Sequence, residues 1–287
     1  MQLLHTAATW YADGTFKVVR KPFLQLFTIH SFIRQEESIK QVPLVFVLMS
    51  SRKKKDYRKV LTAVLELLPS VPRCRRIVID FERALWRAFQ SLMPQCELKG
   101  CVFYWNQAVW RRVRDSQLKR QYMTDHDTHS YIRKLMALLF LPAVLITTIF
   151  DELKVSAVTQ PLVELCAYIQ DTWIENTLWT PTSWSVYNMS IRTNNDVEGW
   201  HRRLNTTGRE HMPLYRLVSV MKAEALTVQM QVRLVSENKL QRYQRREYKD
   251  LQGRLFTAWD KFRSGESSAM QLLRTCSRVY GPTGVSS

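Results

Sequence analysis

Three isolated acids in the sequence have the residue type and the surroundings that a metal site requires. Asp13 lies in the aromatic run TWYADGTFKV, Asp80 ends the apolar run RRIVID, and Glu198 lies in RTNNDVEGWHRRLN. Carboxylate oxygens are the ligands that hard divalent cations prefer. Acids at strand ends and helix starts can share such an ion when the fold brings them together.

Each acid also has an ordinary structural interpretation. Asp13 precedes Gly14, and the Asp-Gly pair is typical of a hairpin turn. Asp80 directly precedes a predicted helix, where Asp is a frequent N-cap. Glu198 falls in the first turn of a helix capped by a residue within 194–196, where the helix dipole favours a negative charge. Taken singly the acids favour these structural roles, whereas together and in this order they point to one site.

Hydrophobic patterning predicts a mixed sheet with helices on its faces in the first hundred residues. Strands are expected at 9–18, 23–33, 42–50, 75–80 and 96–105, where apolar, aromatic and β-branched residues concentrate. Helices are expected at 56–68 and after Asp80. The order of three strands, helix, strand, helix and strand is that of an α/β domain.

Beyond Trp105 the pattern becomes helical. Helices are expected at 107–120, 131–141, 144–153 and 161–175, a structured loop at 178–187, and further helices from 193 onwards. The apolar run 135–150 is interrupted by Pro142 and is shorter than the roughly 20 residues that span a bilayer. It therefore predicts a buried helical hairpin with its break at Pro142.

The charge of the chain predicts a polyanionic partner. The 287 residues carry a formal net charge of +17 and 46% are hydrophobic, so the chain folds and is strongly basic. Nucleic acid is favoured over an anionic membrane, since no lipidation motif or basic amphipathic anchor is present. Five dispersed cysteines without metal-ligand spacing, and an N-terminus without secretory features, predict reduced thiols in an intracellular protein.

An ordered series of motifs resembles a known family. These are YADGTFKV, VPLVFVLMS, IVIDFERALWRAF, GCVFYWNQAVWRRV, LMALLFLP and RTNNDVEGWHRRLN. In this order they are similar to the Mutator-like element (MULE) transposase domain, over roughly residues 9–263. The resemblance implies a ribonuclease-H-like mixed five-stranded sheet with an all-α insertion and a basic helical C-terminal extension. The expected segments are a core at 9–105, the insertion at 106–190, the Glu198 helix and extension at 191–263, and a tail at 264–287.

The resemblance also implies a chemistry. The family is a DDE transposase group that cuts and joins DNA with two divalent ions. By matching motif, Asp13 would be the first catalytic and metal-binding carboxylate, Asp80 the second and Glu198 the third. The ions would be Mg²⁺ or Mn²⁺, about 4 Å apart. The expected partner is the DNA of transposon ends and the expected location is the nucleus; no membrane is expected, and a homo-oligomer is compatible with this function.

Basic residues after the third acid are the candidates for DNA contact. From Trp200 to Arg263 there are fourteen Lys and Arg residues against six Asp and Glu. Arg202, Arg203 and Arg209 follow Glu198 closely and would flank the scissile strand, although a solvated helical face is the ordinary alternative. His201 lies three residues after Glu198, so it is expected to touch DNA phosphate, to sit beside the metal site, or simply to pack.

The sequence departs from the family pattern at two places. The pattern Gly-Cys-x-x-His keeps its cysteine at Cys101 but has Tyr104 at the histidine position, and a phenol cannot replace imidazole as a base near neutral pH. Family members often carry a zinc-binding DNA reader before the catalytic domain, and the dozen residues before Asp13 have no space for one, so we expect either that the sequence is a fragment or that the reader has been lost. Both departures favour the alternative of a domesticated, non-enzymatic DNA-binding or regulatory protein, so enzymatic activity stays open. A basic helical protein acting on RNA or membrane is a third interpretation without a specific motif.

Overall fold

The computed structural model describes residues 1–36, 38–189, 195–207, 211–237 and 246–279, with the backbone alone at 195, 207 and 246–249. The chain divides into two compact units. The first comprises Met1–Lys99 and Thr193–Tyr243, and the second comprises Gly100–Arg192 and Gln244–Ser287. The three acids of the candidate site all belong to the first unit.

A five-stranded sheet forms the centre of the first unit. Its strands are β1 (Thr9–Thr15), β2 (Gln25–Gln35), β3 (Ser38–Met49), β4 (Arg76–Ile79) and β5 (Glu97–Gly100). The spatial order is β3-β2-β1-β4-β5. β2 runs antiparallel to both β1 and β3, whereas β1 and β4 are parallel. The predicted mixed five-stranded α/β sheet is therefore confirmed.

Helices account for most of the remaining described chain. They are α1 (Gln2–Thr6), α2 (Lys54–Glu66), α3 (Arg83–Leu92), α4 (Val102–Asp115), α5 (Leu118–Thr124), α6 (His126–Ala137), α7 (Ala143–Val155), α8 (Gln160–Ile169), α9 (Pro181–Trp184), α10 (Asn195–Thr207), α11 (Leu214–Ser236), α12 (Arg246–Arg263) and α13 (Ala269–Val279). A 3₁₀ turn at Leu138–Phe140 follows α6, and a π-helical turn at Gln170–Ile174 follows α8. No helix among the described residues is long and apolar enough to cross a membrane.

Apolar packing fixes α10 and α11 against the sheet. Trp200 and Leu204 of α10 share a buried cluster with Leu26 of β2 and Leu217 of α11. Further along α11, apolar side chains pack with residues of β2 and β3, namely Val228 and Val235 with Ile33 and Val42. Because burial of each large apolar side chain contributes about 1.5–3 kcal/mol, this packing holds α10 in place over β1.

Apart from Gly100 at the end of β5, all regular secondary structure among the described residues of the second unit is helical, and tryptophans anchor its core. Trp105 of α4 stacks on Trp184 with ring centroids 4.4 Å apart and meets Trp173 edge-on at 4.9 Å. The Trp105 indole N–H donates to the Met136 carbonyl at 3.1 Å, and that of Trp259 donates to the Phe140 carbonyl at 2.9 Å. Buried indoles are stable here because their polar N–H groups have acceptors.

The structure changes several predicted boundaries. The fifth strand ends at Gly100 rather than at 105, because Val102, Trp105, Val109 and Val113 recur at helical spacing and are buried on one face of α4. The helix predicted at 107–120 is two helices, which separate where Gln117 adopts a positive φ of 59°. The loop predicted at 178–187 contains the short α9.

Other predictions from the sequence are confirmed. The hairpin predicted within 135–150 is present, and Pro142 stands at the N-cap of α7. All five cysteines are buried and none of them forms a disulfide. The domain bounds predicted at residues 105, 190 and 263 stay a prediction.

Candidate functional site

Asp13 lies inside a central strand rather than in a turn. It pairs with Thr28 of β2 in the antiparallel register, and Gly14 pairs with Phe27. The carboxylate is 2% exposed, and its Oδ1 accepts a hydrogen bond from the Gly14 backbone N–H at 2.7 Å. The hairpin-corner interpretation of Asp13 is therefore wrong, and the chain buries a charge in the middle of its sheet.

Asp80 lies beside Asp13 at the carboxyl end of the neighbouring parallel strand. The β1–β4 register ends with Ala12 opposite Ile79, so the next residue on each strand is one of the two acids. Asp80 does not cap α3, because Glu82 occupies the N-cap position. The Asp80 carbonyl instead accepts a hydrogen bond from the Trp86 indole at 2.6 Å, which holds this backbone in place.

Glu198 occupies the first turn of α10, as the sequence predicts. α10 packs on β1, the strand that carries Asp13. Glu198 Oε1 and Asp80 Oδ1 are both buried and have no hydrogen-bond partner in the part of the chain that the structure describes. A buried carboxylate oxygen without a donor costs free energy, on the order of 1–3 kcal/mol, so these two atoms are suited to a cation.

The pKa values of Asp80 and Glu198 are raised by burial and by the nearby charge of Asp13. Burial raises the pKa of Asp80 to about 8, and the charges of Asp13 and then Glu82 add to the shift, while Arg52 opposes it. Burial also raises the pKa of Glu198 to about 8, with the charge of Asp13 adding to the shift and Arg202 opposing it. The negative charge of Asp13 thus acts on the pKa values of both other acids.

The donor chemistry fits a divalent cation, although the side chains do not form a closed ligand set. Among the described residues, no group of three or more His, Cys, Asp and Glu side chains is arranged to hold a metal ion. Three carboxylates with two orphaned oxygens nevertheless supply the hard ligands and negative charge that Mg²⁺ and Mn²⁺ require.

A row of buried polar side chains extends from Asp13 towards β3. His201 Nδ1 lies 3.5 Å from Asp13 Oδ2, and His201 Nε2 lies 3.4 Å from the Thr28 hydroxyl. Thr28 also contacts His30 Nε2 at 3.0 Å. Burial, followed by the nearby His201, holds the pKa of His30 well below its usual value. His201 is 7% exposed, which places it beside the candidate metal site rather than on the surface.

A second polar network supports the segment after Asp80. Arg52 donates to both Glu82 oxygens, and the Tyr57 hydroxyl donates to Glu82 Oε2 at 3.1 Å. Gln25 Nε2 in turn donates to the Tyr57 hydroxyl at 2.8 Å. The Arg52 guanidinium also lies 4.8 Å from the centre of the Phe16 ring. Arg52 therefore faces Glu82 rather than joining the exposed basic run of residues 53–55.

Gly14 is required by close packing. A Cβ at this position would lie 2.4 Å from Gln25 Oε1, in the same network. A protein side chain therefore fills the space on the Cβ side of Gly14, where neither a phosphate nor a metal has room. The glycine thus allows β1 and β2 to pack closely beside Asp13.

The remaining candidate residues have diverse positions. Arg202 and Arg203 of α10 are exposed, and Arg203 pairs with Glu224 Oε2 at 2.6 Å. Arg209 lies outside the described residues. Cys101 is buried at the N-cap of α4, and Tyr104 lies in the first turn of that helix with its ring edge-on to Phe103.

Sequence reasoning missed the residues that surround Asp13. Thr28 and His30 lie on alternate positions of β2, on the face that Asp13 shares, because Thr28 is the direct partner of Asp13. Pairing the two predicted strands in this register would have found both residues. Glu82 was visible in the quoted motif IDFE, whereas its partners Arg52 and Tyr57 come from distant segments.

Comparison with known protein families finds a match for part of the chain. The family model described as the MULE transposase domain matches residues 9–108. The match includes Asp13 and Asp80, while Glu198 follows it in the sequence. A search of curated proteins finds no match. Residues 9–108, which carry Asp13 and Asp80, are therefore similar to the MULE transposase domain.

Proposed function

We propose that the chain is a DDE transposase domain of the MULE type, which cleaves and transfers DNA strands using Mg²⁺ or Mn²⁺. Asp13, Asp80 and Glu198 are its catalytic carboxylates. The observation that carries this proposal is a pair of buried oxygens, Asp80 Oδ1 and Glu198 Oε1, that have no hydrogen-bond partner among the described residues. Burial, and then the charge of Asp13, raises the pKa values of both acids. The family match supports the same assignment.

The proposed fold of the first unit is ribonuclease-H-like, with an all-α insertion and a basic helical extension. The mixed sheet supports this because it puts the first two acids on adjacent parallel strands. The chain leaves this unit after Lys99 and returns to it at Thr193, just before the third acid. The helical segment between these two points thus separates the sheet in sequence from α10, the helix that carries Glu198.

The protein groups have distinct tasks in this function. The three carboxylates would hold two divalent ions, which supply activation of the attacking oxygen and stabilisation of the leaving oxygen at phosphorus. Asp13 is the acid whose charge acts on both of the others, adding to the burial that raises their pKa values. Arg52 fixes Glu82, and the Trp86 indole fixes the backbone of Asp80.

DNA is the proposed partner and the nucleus the proposed location. The formal charge of +17 favours the phosphate backbone, which gives affinity without sequence choice. Arg202 is exposed and close enough to Glu198 to lower its pKa, so it is placed to contact a phosphate near the site. Arg203 must share its charge with Glu224.

A metal-dependent nicking assay on supercoiled plasmid tests the catalytic proposal. We expect nicking with Mg²⁺ or Mn²⁺ by the wild type and none by Asp80→Asn or Glu198→Gln, which keep the side-chain size but remove a charge. Arg263→Gln, a change in the second unit, is the matched control and should nick normally. Equal nicking by the wild type and Asp80→Asn, or none by either, would remove the catalytic claim.

A second candidate function is a domesticated DNA-binding or regulatory protein without turnover. Tyr104, at the position of the family histidine, favours it, since a phenol is a poor base near neutral pH. In that case Tyr104→His should restore no nicking, and Asp13→Asn should bind duplex DNA as tightly as the wild type. Loss of binding in Asp13→Asn would count against this candidate.

A further inference from the structure

The most unusual feature beyond the acids is the row of side chains Asp13, His201, Thr28 and His30, referred to here as the buried polar row. Their exposed fractions are 2%, 7%, 0% and 1%. Two imidazoles, a hydroxyl and a carboxylate removed from water cost free energy unless they satisfy one another. Such a row within a protein core therefore needs an explanation.

Each member of the buried polar row fixes the next. The Thr28 hydroxyl has one proton and two lone pairs, and it lies 3.0 Å from His30 Nε2, 3.4 Å from His201 Nε2 and 3.3 Å from the Asp13 carbonyl. His30 is held in turn by the Trp200 ring, edge-on at 5.2 Å. The His201 ring is thereby oriented with Nδ1 towards Asp13 Oδ2 at 3.5 Å.

We propose that His201, oriented by Thr28 and His30, is a positioning residue that holds the Asp13 carboxylate in the direction required for binding a divalent cation. This inference rests on the proposed function, because it presumes that Asp13 is a metal ligand. Oδ1 is engaged by the Gly14 N–H and Oδ2 faces His201, so the carboxylate has a defined orientation before an ion arrives. Groups that orient a metal ligand typically change metal affinity 10–100-fold when they are removed.

Binding of Mn²⁺ to the full chain, measured by electron paramagnetic resonance without DNA, tests this inference. Thr28→Val removes the hydroxyl and keeps the shape, and His201→Gln removes the imidazole while keeping a polar side chain. Each variant should weaken Mn²⁺ binding about 10-fold. The matched control is Thr15→Val, which removes a hydroxyl on the same strand as Asp13 that contacts Asn205 at 3.3 Å but is not part of the row.

The outcomes separate the inference from the proposed function. Unchanged Mn²⁺ affinity in both Thr28→Val and His201→Gln, or an equal loss in Thr15→Val, would overturn the positioning role. Asp13→Asn and Asp80→Asn report on the function itself and should abolish Mn²⁺ binding. If these two variants bind Mn²⁺ like the wild type, or the wild type binds none, the proposed metal site fails and the positioning role falls with it.

A separate observation concerns the second unit. A cavity of about 250 Å³ between α6 and α13 is lined by Ser130, Lys134, Arg274, Ser277 and Arg278. Three of these five side chains are cations, two carry hydroxyls, and none is acidic. Arg274 and Arg278 are four residues apart on one helix, where like charges repel each other. No carboxylate pairs with the three cations among the residues that the structure describes.

We infer that this cavity, the α6–α13 cationic pocket, binds a phosphate of the DNA backbone. Three clustered cations and the Ser130 hydroxyl match the charge and the hydrogen-bond acceptors of a phosphate, and a bound phosphate would remove the repulsion between the arginines. The Ser277 hydroxyl donates to the Arg274 carbonyl at 2.8 Å and can offer a phosphate no further proton. The inference rests on the proposed DNA binding and adds a contact in the second unit. It predicts a contribution to affinity that does not depend on base sequence.

The salt dependence of duplex binding tests this pocket. The slope of log K against log salt concentration, measured by fluorescence anisotropy with a labelled duplex, should become shallower by about 1 in the double variant Lys134→Gln/Arg278→Gln, because one phosphate contact is lost. Lys119→Gln, an exposed lysine of α5 in the same unit, is the control and should leave the slope unchanged. Equal slopes in the double variant and the control would overturn the inference.

A titration with inorganic phosphate identifies the source of the phosphate. If the double variant weakens the binding of inorganic phosphate but leaves the salt dependence of duplex binding unchanged, the pocket binds a small phosphate compound and not DNA. The inference then fails. If the wild type binds no duplex at all, the DNA partner of the proposed function fails as well.

Discussion

Asp13 of β1 and Asp80, the residue that follows β4, each lie one residue beyond the parallel pairing of Ala12 with Ile79. Side chains at such positions project from the same face of the sheet, so the register places two negative charges side by side. Glu198 adds a third charge from the first turn of α10. Repulsion among these three carboxylates destabilises the folded state unless bound protons or cations neutralise their charge. The stability of the chain should therefore depend on pH and on divalent ions.

The first prediction concerns the pH dependence of stability without metal. Asp80 and Glu198 have pKa values raised to about 8 in the folded chain, compared with about 4 when unfolded. The folded state therefore binds more protons, and the free energy of unfolding should decrease as pH rises from about 4 to about 8. Urea unfolding in EDTA at several pH values, followed by circular dichroism, measures this decrease.

Asp80→Asn is the control for this pH dependence. The amide cannot ionise, so the decrease should be smaller, and at pH 8 the melting temperature should exceed that of the wild type by about 2–4 °C. Millimolar Mn²⁺ should stabilise the wild type more at pH 8 than at pH 6 and the variant little at either. A wild type whose stability is constant across this range would contradict the raised pKa values.

The second prediction concerns Gly14. In Gly14→Ala the new Cβ would meet Gln25 Oε1, and Gln25 cannot move freely because Nε2 is bonded to Tyr57 at 2.8 Å and lies 3.2 Å from Met49 Sδ. We expect a loss of about 1–3 kcal/mol in the free energy of unfolding, the usual cost of overpacking. Urea unfolding monitored by tryptophan fluorescence measures it.

Gly199→Ala is the matched control, because nothing lies within 4 Å of a Cβ at that position in α10. Alanine is the better helix former, so this variant should gain up to about 1 kcal/mol. If both alanine variants change stability equally, the contact with Gln25 is not the reason for the glycine at position 14.

The sequence predicts the sheet and two of the acids because their signals are local. Asp80 follows an apolar run that can only be a buried strand, and Glu198 follows helix-capping residues. Asp13 was harder to place, since Asp-Gly favours a turn locally, whereas pairing with β2 on one side and β4 on the other keeps β1 extended. That pairing is a long-range property, and hydrophobic patterning within one segment cannot report it.

The contacts around the acids were not predictable for the same reason. The row from Asp13 to His30 depends on the strand register and on the way α10 packs, and the Arg52 pairing depends on the approach of the segment after β3 to the segment after β4. The end of the fifth strand was missed because apolar and aromatic residues continue into α4, where helical spacing replaces alternation only after Cys101.

The third prediction concerns Arg52. Its guanidinium donates to both Glu82 oxygens, and Glu82 is only partly exposed, so Arg52→Met should cost about 1–3 kcal/mol of unfolding free energy. The loss of this positive charge should also raise the pKa of Asp80 further, since Arg52 opposes its shift. The pH dependence of urea unfolding reports both effects.

Arg52→Lys separates charge from geometry. Lysine keeps the positive charge but cannot form the two-pronged contact, so the pKa of Asp80 should stay near that of the wild type while part of the stability is lost. Identical behaviour of the methionine and lysine variants would show that the charge of Arg52 does not act on Asp80.

The fourth prediction concerns the core of the second unit, away from the acids. Trp105 is buried, stacks on Trp184 and donates its indole N–H to the Met136 carbonyl at 3.1 Å. Trp105→Phe removes this donor and leaves a void beside Trp184, so the free energy of unfolding should decrease by about 2 kcal/mol. Trp110→Phe, on the same helix and only partly buried, should cost less than half as much, as measured by urea unfolding. Neither variant should change Mn²⁺ affinity, because Asp13, Asp80 and Glu198 all belong to the first unit. If Trp105→Phe binds Mn²⁺ more weakly than the wild type while Trp110→Phe binds it normally, this expectation is wrong.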